Sequence, residues 1–386
     1  MLFAVALAAV VTATVNAAPT ATAKAKRTRV IVLGDAATAS AAVTANGGAV
    51  EQKLESIGGV IATVPVDHES ALEQTPGVRS VSADRELHLA NNGWDSSDDA
   101  GSLPRTAQTV NATTPSAANA TGNGVDVAVV DSGIAPVAGL TDANKIVNGP
   151  DISFDSQSNK SAYVDDYGHG THIAGIIAGN ARGKRSGFNG LAPDARLLNV
   201  KVADAGGAVD VSQVIAAIDW VVQHRTDNGL NVRVLNLSFG TDSAQSYVDD
   251  PLAFAAEVAW RNGIVVVTAA GNDGTDLGRM TDPATDPFVI AVGSDDAKGT
   301  PQTSDDAISD FSSWGDGTRN PDVVAPGRSI VSLRDPGSYN DSTYPSARVT
   351  PKLFRGSGTS QATAVVSGVA ADLLQAHSDL TPDQVK

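Results

Sequence analysis

The chain has 386 residues, 42% hydrophobic and 18% charged, which suits a folded globular protein large enough for more than one domain. Its formal net charge is −16, and residues 1–90, with seven basic and eight acidic side chains, contribute only −1 of it, so the remainder is an acidic body that excludes nucleic acid and anionic membrane as main partners. Cysteine is absent, which excludes disulfides, thiolate catalysis and cysteine-ligated zinc or iron–sulfur sites.

Residues 1–17 (MLFAVALAAVVTATVNA) are an apolar run ending in small residues. Val15-Asn16-Ala17 fits the small-x-small pattern of a signal-peptidase site, so the run predicts a secretory signal peptide and an extracellular protein. The basic stretch that usually opens such a signal is missing, and the bland alternative is a buried helix. The run is too short and too rich in Ala and Thr for a membrane span, and no later segment reads as one.

Residues 28–33 (TRVIVL) predict a strand, 38–57 an alanine-rich helix, 60–66 a strand, 69–77 a short helix and 78–84 a strand. This order predicts a small α+β domain of ferredoxin-like type over 28–90. Residues 91–119 are polar, turn-rich and aperiodic, a texture that runs on to Asn123 and reads as a linker. The Asn-x-Thr matches at Asn111 and Asn119 are short enough to arise by chance.

From about residue 120 the texture changes. VDVAVV (125–130) is a nearly continuous apolar run, as expected of a strand buried on both faces, and similar runs occupy 196–202, 232–238, 264–270 and 288–293. Between them Val211, Val214, Ile215, Ile218 and Val222 mark one helix face, while Asp250, Pro251 and Gly263 bracket another helix as N-cap, N1 and C′ residues. Alternating strands and helices predict an α/β fold, a parallel sheet with helices on both faces, and function gathers at the carboxyl ends of such strands. At the far end, Thr381 and Pro382 open a helix that the sequence breaks off at Lys386, so the domain over 120–386 is expected to continue past it.

Four residues stand in glycine-rich frames at the places such a sheet favours. Asp131, in DSGI, follows a buried strand; the bland reading is a turn or cap residue. His169 and His172 lie in GHGTHIAG, where small neighbours let a peptide backbone approach the ring; the bland reading is a satisfied core histidine. Ser360, in GSGTSQATA, sits in the first turn of a helix, where its own N–H can serve a developing oxyanion; the bland reading is a common N-cap serine. Asn272, in AAGNDG, follows a strand and offers a side-chain amide; the bland reading is a turn. A metal reading of the histidine pair fails for want of a third ligand: no glutamate stands where a zinc-protease helix supplies one.

Singly, each bland reading holds; together, the chain order Asp, His, Ser resembles the subtilisin-like serine proteases. VAVVDSGI, GHGTHIAG and GTSQATA are similar to that family's three catalytic motifs, and LNLSFG (235–240), AAGNDG, FSSWG (311–315) and PDVVAPG (321–327) to further family segments. The resemblance covers about 120–386 and implies a subtilisin-like three-layer α/β fold. It implies a secreted serine endopeptidase acting on proteins or peptides, with Ser360 as nucleophile, His169 as base, Asp131 orienting it, and the Asn272 amide and Ser360 N–H as oxyanion donors. His172 is then structural. It further implies that Ser238, Phe239 and Gly240 pair with an extended substrate, and that Ala269, Ala270 and Gly271 border the primary specificity pocket, whose small residues predict a preference for large apolar side chains. The domain at 28–90 takes the place of an inhibitor and chaperone propeptide, with Glu86–Ala90 as the tail that enters the cleft of a monomeric, autoprocessed zymogen, or with the cut later in the linker; the bland alternative is a separate accessory domain.

The pattern departs from the family in places. Gln361 and Ala364 stand where many relatives have Met and Pro. The resemblance implies no cofactor for the chemistry. After DSGI, the sequence APVAGL lacks a carboxylate used by relatives for calcium, so structural calcium stays possible but is unsupported at its usual site. The acidic stretch 304–310 offers carboxylates for calcium, against the commoner reading of a solvated loop, and 332–354 is a long segment able to shape one edge of the cleft. Two other readings compete: a non-catalytic binding protein on the same fold, against which the full Asp, His, Ser and Asn set argues, and an acid-acting Ser, Glu, Asp peptidase, from which His169 and Asn272 point away.

Overall fold

The computed structural model describes residues 26–89, 101–113, 120–158, 161–180 and 188–386, with 86–89 described as backbone. The expected signal segment at 1–17 lies outside the described residues.

The N-terminal unit runs β1 (Arg27–Gly34), α1 (Ala36–Ala45), β2 (Ala49–Leu54), β3 (Gly59–Pro65), α2 (Glu69–Glu73) and β4 (Val78–Ala83). Its strands form an antiparallel sheet in the order β2-β3-β1-β4. Asp35 starts α1 by accepting the N–H groups of Ala37 and Thr38 at 3.1 and 3.0 Å. The helix expected over 38–57 ends early. It stops at Ala45, the chain turns through Gly47 and Gly48, and 49–54 become an edge strand. The reason lies outside that segment, because β3 offers it a ladder of hydrogen bonds that an alanine-rich helix without a strong apolar stripe cannot match.

The pleat splits the unit's apolar residues between two cores. Val30 and Val32 pack with Val60, Ala62, Val64 and α1, whereas Ile31, Leu33 and Ile61 point the other way and join the core of the C-terminal body. Polar contacts reinforce the joint. The Ser56 N–H donates to Asp219 Oδ1 at 2.7 Å, and the Arg79 guanidinium lies 3.7 Å from the centre of the Phe254 ring.

After the unit, β5 (Glu86–Leu89) crosses to the body. The stretch expected to be linker then contains α3 (Leu103–Thr109), with Pro104 in its first turn, where a missing N–H costs nothing. Leu103, Thr106 and Thr109 are buried, Thr109 Oγ1 donates to the Thr300 carbonyl at 2.9 Å, and the Arg105 guanidinium donates to that of Gly299. Docking makes this helix, and its polar sequence carries little periodicity to announce it.

The body continues with β6 (Asp126–Asp131), β7 (Ile146–Asp151), α4 (His169–Ala178), β8 (Arg196–Lys201), β9 (Ala208–Asp210), α5 (Val211–His224), β10 (Val232–Leu237), β11 (Phe239–Gly240), α6 (Pro251–Arg261), β12 (Val265–Ala269) and β13 (Ile290–Asp296). There follow β14 (Ala307–Ile308), β15 (Val323–Pro326), β16 (Ile330–Leu333), α7 (Tyr339–Thr343), β17 (Arg348–Thr350), β18 (Leu353–Gly356), α8 (Thr359–Ala376) and α9 (Pro382–Val385). The main sheet has the order β14-β13-β12-β10-β6-β8-β7, with β15 also paired to β13. All of its pairings are parallel except β13 with β14. Helices α4 and α8 pack against each other on one side of this sheet and α5 and α6 on the other, which is the expected three-layer arrangement. Residues 330–356 add a small antiparallel sheet, β16-β18-β17. There the Tyr339 and Asn340 N–H groups donate to the Asp166 and Tyr167 carbonyls at 2.9 and 3.0 Å, so α7 sits beside the run that leads into α4.

Candidate active site

Each candidate residue lies where one element ends or another begins. Asp131 is the last residue of β6, His169 the first of α4, Ser360 the second of α8, and Asn272 follows β12 by three residues. Because β6, β10 and β12 are parallel neighbours, their carboxyl ends share one edge of the sheet.

Asp131 and His169 are buried and meet directly. His169 Nδ1 lies 2.9 and 3.0 Å from the two Asp131 carboxylate oxygens. The approach depends on Gly170, since a Cβ there would come within 2.2 Å of the Gly133 carbonyl oxygen and 3.2 Å of Asp131. Asp131 Oδ1 also accepts the Ser132 N–H at 2.8 Å. A carboxylate at Nδ1 holds the proton there, so Nε2 is the basic nitrogen, and it is buried without a hydrogen-bond partner among the described residues. Burial alone drives the His169 pKa down, but the charge and hydrogen bond of Asp131, helped by the Asp165 charge, outweigh it, and the imidazole titrates above its ordinary value.

Asp165 was not singled out in the sequence, although it stands four residues before His169. It is buried and accepts the N–H groups of Gly168 and Thr171 and the Ser132 hydroxyl at 2.6, 2.7 and 2.7 Å. It thereby ties the first turn of α4 to the residue next to Asp131. Burial pushes its carboxyl upward against these bonds. His172 is the structural histidine expected: its Nε2 is 3.1 Å from the Phe354 carbonyl, and burial, then the neighbouring His169, lowers its pKa to about 3.

Ser360 is the second residue of α8, after Gly358 and Thr359. Its hydroxyl donates to the Ser238 carbonyl at 2.9 Å, so the serine-to-imidazole hydrogen bond of an assembled triad is not made in this state. Ser238 directly follows β10. The Ser238 hydroxyl in turn donates to the Ser360 carbonyl at 3.2 Å. Asn272 Oδ1 accepts the Thr359 N–H at 2.8 Å and the Thr359 hydroxyl at 3.2 Å. These two contacts fix Asn272 against the start of α8. Thr359 is a second residue the sequence did not flag; its place beside Ser360 in GTS was the available signal.

Phe239 and Gly240 form β11, and their partner is the chain itself. Leu89 lies opposite Phe239 and His88 opposite Gly240, antiparallel. On its other edge β5 pairs antiparallel with β9, Glu86 opposite Asp210 and His88 opposite Ala208. Residues 86–89 are thus the middle strand of a three-stranded sheet whose walls come from the body. Ala269 and Ala270 are buried, Ala270 in a small cluster with Met280, Ala284 and Ala291, and the Gly271 N–H donates to Thr359 Oγ1 at 3.3 Å. The wall formed by 208–210 escaped sequence reasoning, because three residues carry no period.

A base, a hydroxyl and amide donors at one sheet edge, with a strand-binding groove beside them, can perform acyl transfer on an extended peptide. The Subtilase family matches residues 122–386. The chain is 37% identical to Serine protease AprX of Bacillus subtilis (strain 168) over 324 residues, 82% of this chain and 70% of that one. The chain belongs to the subtilase family. As a subtilase it is a serine-type endopeptidase, a hydrolase whose substrates are proteins or peptides. A further subtilase relative is Minor extracellular protease Epr of the same strain, 33% identical over 67% of this chain and 33% of its own length. Among solved structures, fervidolysin from Fervidobacterium pennivorans, a keratinolytic enzyme related to subtilisin, aligns with a TM-score of 0.71 and 25% identity over 93% of this chain and 56% of that one. Among the described residues of this subtilase no helix is long and apolar enough to cross a membrane, and no three His, Asp or Glu side chains cluster as a metal-ligand set.

Proposed function

We propose that this subtilase is a secreted endopeptidase made as a self-inhibited zymogen, working through Asp131, His169 and Ser360. Ser360 Oγ attacks the peptide carbonyl carbon while His169 Nε2 takes its proton. The C–N bond then breaks, and the imidazolium returns that proton to the leaving amine. Water, deprotonated by the same nitrogen, next attacks the ester carbonyl and frees Ser360. Asp131 keeps Nδ1 protonated and stabilises the imidazolium. The Asn272 amide and the Ser360 N–H hold the oxyanion. For this transfer Oγ leaves the Ser238 carbonyl and meets Nε2. These proton transfers need no cofactor.

The observation that carries this reading is the buried Asp131–His169 pair at 2.9 Å beside a groove holding residues 86–89 as an added strand. The same strand supports the N-terminal unit as propeptide: a substrate backbone would take its place between β9 and β11. Because α3 is docked on the body, the reading puts the maturation cut between β5 and α3, within 90–100. The apolar run at 1–17 and the extracellular relative support export.

Expression of the chain from Ala18 as wild type and as Ser360→Ala, followed by intact mass over time, tests the reading. The wild type should shed one N-terminal piece ending within 90–100, and the variant should stay whole. Two intact proteins, neither cleaving casein, would overturn it.

A further inference from the structure

Next to the groove lies a pair of buried carboxyl groups that the chemistry above does not use. Asp250, at the N-terminus of α6, is fully buried; its Oδ1 accepts the Leu252 N–H at 2.9 Å. Its Oδ2 accepts the Ser243 hydroxyl at 2.9 Å and the Arg85 Nη2 at 2.6 Å. Asp282 is 1% exposed, and its carboxyl adjoins that of Asp250. Burial first, and the adjoining Asp250 carboxylate second, hold the Asp282 carboxyl well above the usual carboxylate range. The Arg85 guanidinium forms an ion pair with Asp250, and its Nη1 reaches Gln245 Oε1 at 3.4 Å.

Arg85 stands in the track of the peptide. Its carbonyl accepts the Val211 N–H at 2.8 Å, which extends the pairing of β5 with β9 by one residue. Any peptide that replaces residues 86–89 along the same walls brings a side chain to this place. When Arg85 leaves, the buried charge loses its partner, and an unbalanced buried charge is costly. A cationic side chain restores the balance, and a planar guanidinium can reach Asp250 and Gln245 together where a lysine ammonium cannot.

We propose that Asp250, Asp282 and Gln245 form a guanidinium-binding subsite that selects substrates with arginine four residues before the one opposite Phe239. The proposal rests on the reading that β5 marks the substrate track.

Two internally quenched peptides with the sequence of residues 83–103, one with arginine and one with uncharged citrulline at position 85, test it on the activated enzyme. The arginine peptide should have a kcat/KM about ten-fold higher, as a charge-assisted hydrogen bond to a buried carboxylate gives, and the difference should lie in KM. Asp250→Asn retains a helix-capping side chain, and in that variant the two peptides should be cleaved alike. Equal cleavage by the wild type overturns the subsite and leaves the catalytic reading intact. Cleavage of neither peptide overturns the catalytic reading and the subsite with it.

Discussion

The N-terminal unit and the C-terminal body are both layers of helix on sheet, and they differ in where their cores close. The body covers its main sheet with its own helices on both faces. The unit closes a core on one face only, mostly of valine and alanine with the single leucine Leu72. Its larger apolar side chains on the other face, among them Ile31, Leu33 and Ile61, finish against the body. The body also lends it polar anchors: Asp84 accepts the Ser212 N–H, in the first turn of α5, at 2.6 Å and pairs with Arg29 at 2.7 Å. A small sheet with one open face is stable chiefly where that face is covered. The second apolar face of the unit is therefore completed by the body.

The comparison can be tested most sharply at the nucleophile. Ser360→Ala should lower kcat on a peptide substrate by about 10⁶, the loss reported when the serine of a subtilisin is removed. A residual rate close to wild type would place the nucleophile elsewhere in the body. Next in size is Asp131→Asn, expected to cost on the order of 10⁴ in kcat by turning the imidazole to the wrong tautomer, as in the trypsin-type triad.

The same pair sets the pH profile. His169 works as a base only when neutral, and Asp131 raises its pKa, so activity should climb with pH through a value above the ordinary imidazole value near 6.5. In Asp131→Asn that acid limb should move to lower pH. A limb that stays put would separate Asp131 from the titration seen.

Asn272→Ala should reduce kcat by about 10²–10³ with little change in KM, the effect known for the oxyanion asparagine of a subtilisin. The smallest effect concerns the joint. Asp84→Ala removes an acceptor from the first turn of α5, a loss of about 0.5–2 kcal/mol. Activity should then appear sooner after the cut in this variant than in wild type, with Asp84→Asn between them. Identical time courses would mean the apolar face alone holds the unit.

Local pattern made much of this molecule legible. The strands β6, β8, β10, β12 and β13 are buried on both faces, so each is written as a continuous apolar run that any reader of hydrophobicity finds. Asp131, His169, Ser360 and Asn272 were found because each sits in a short glycine-rich motif of its own. What escaped depends on distant partners. Strand β2 is an exposed edge, AVEQKL, whose pattern means nothing without β3 beside it. Helix α3 is polar and holds its shape by docking near Gly299 and Thr300.

The sequence by itself determined the alternation of strands and helices, the chain order of the candidate triad and the division into two regions, because these are written in neighbouring residues. Only the tertiary structure decided that residues 86–89 lie between β9 and β11, that the Ser360 hydroxyl rests on the Ser238 carbonyl, and that Arg85 meets Asp250. Those contacts join residues more than a hundred positions apart. Their energies depend on burial and on distances of about 3 Å, which no local pattern encodes.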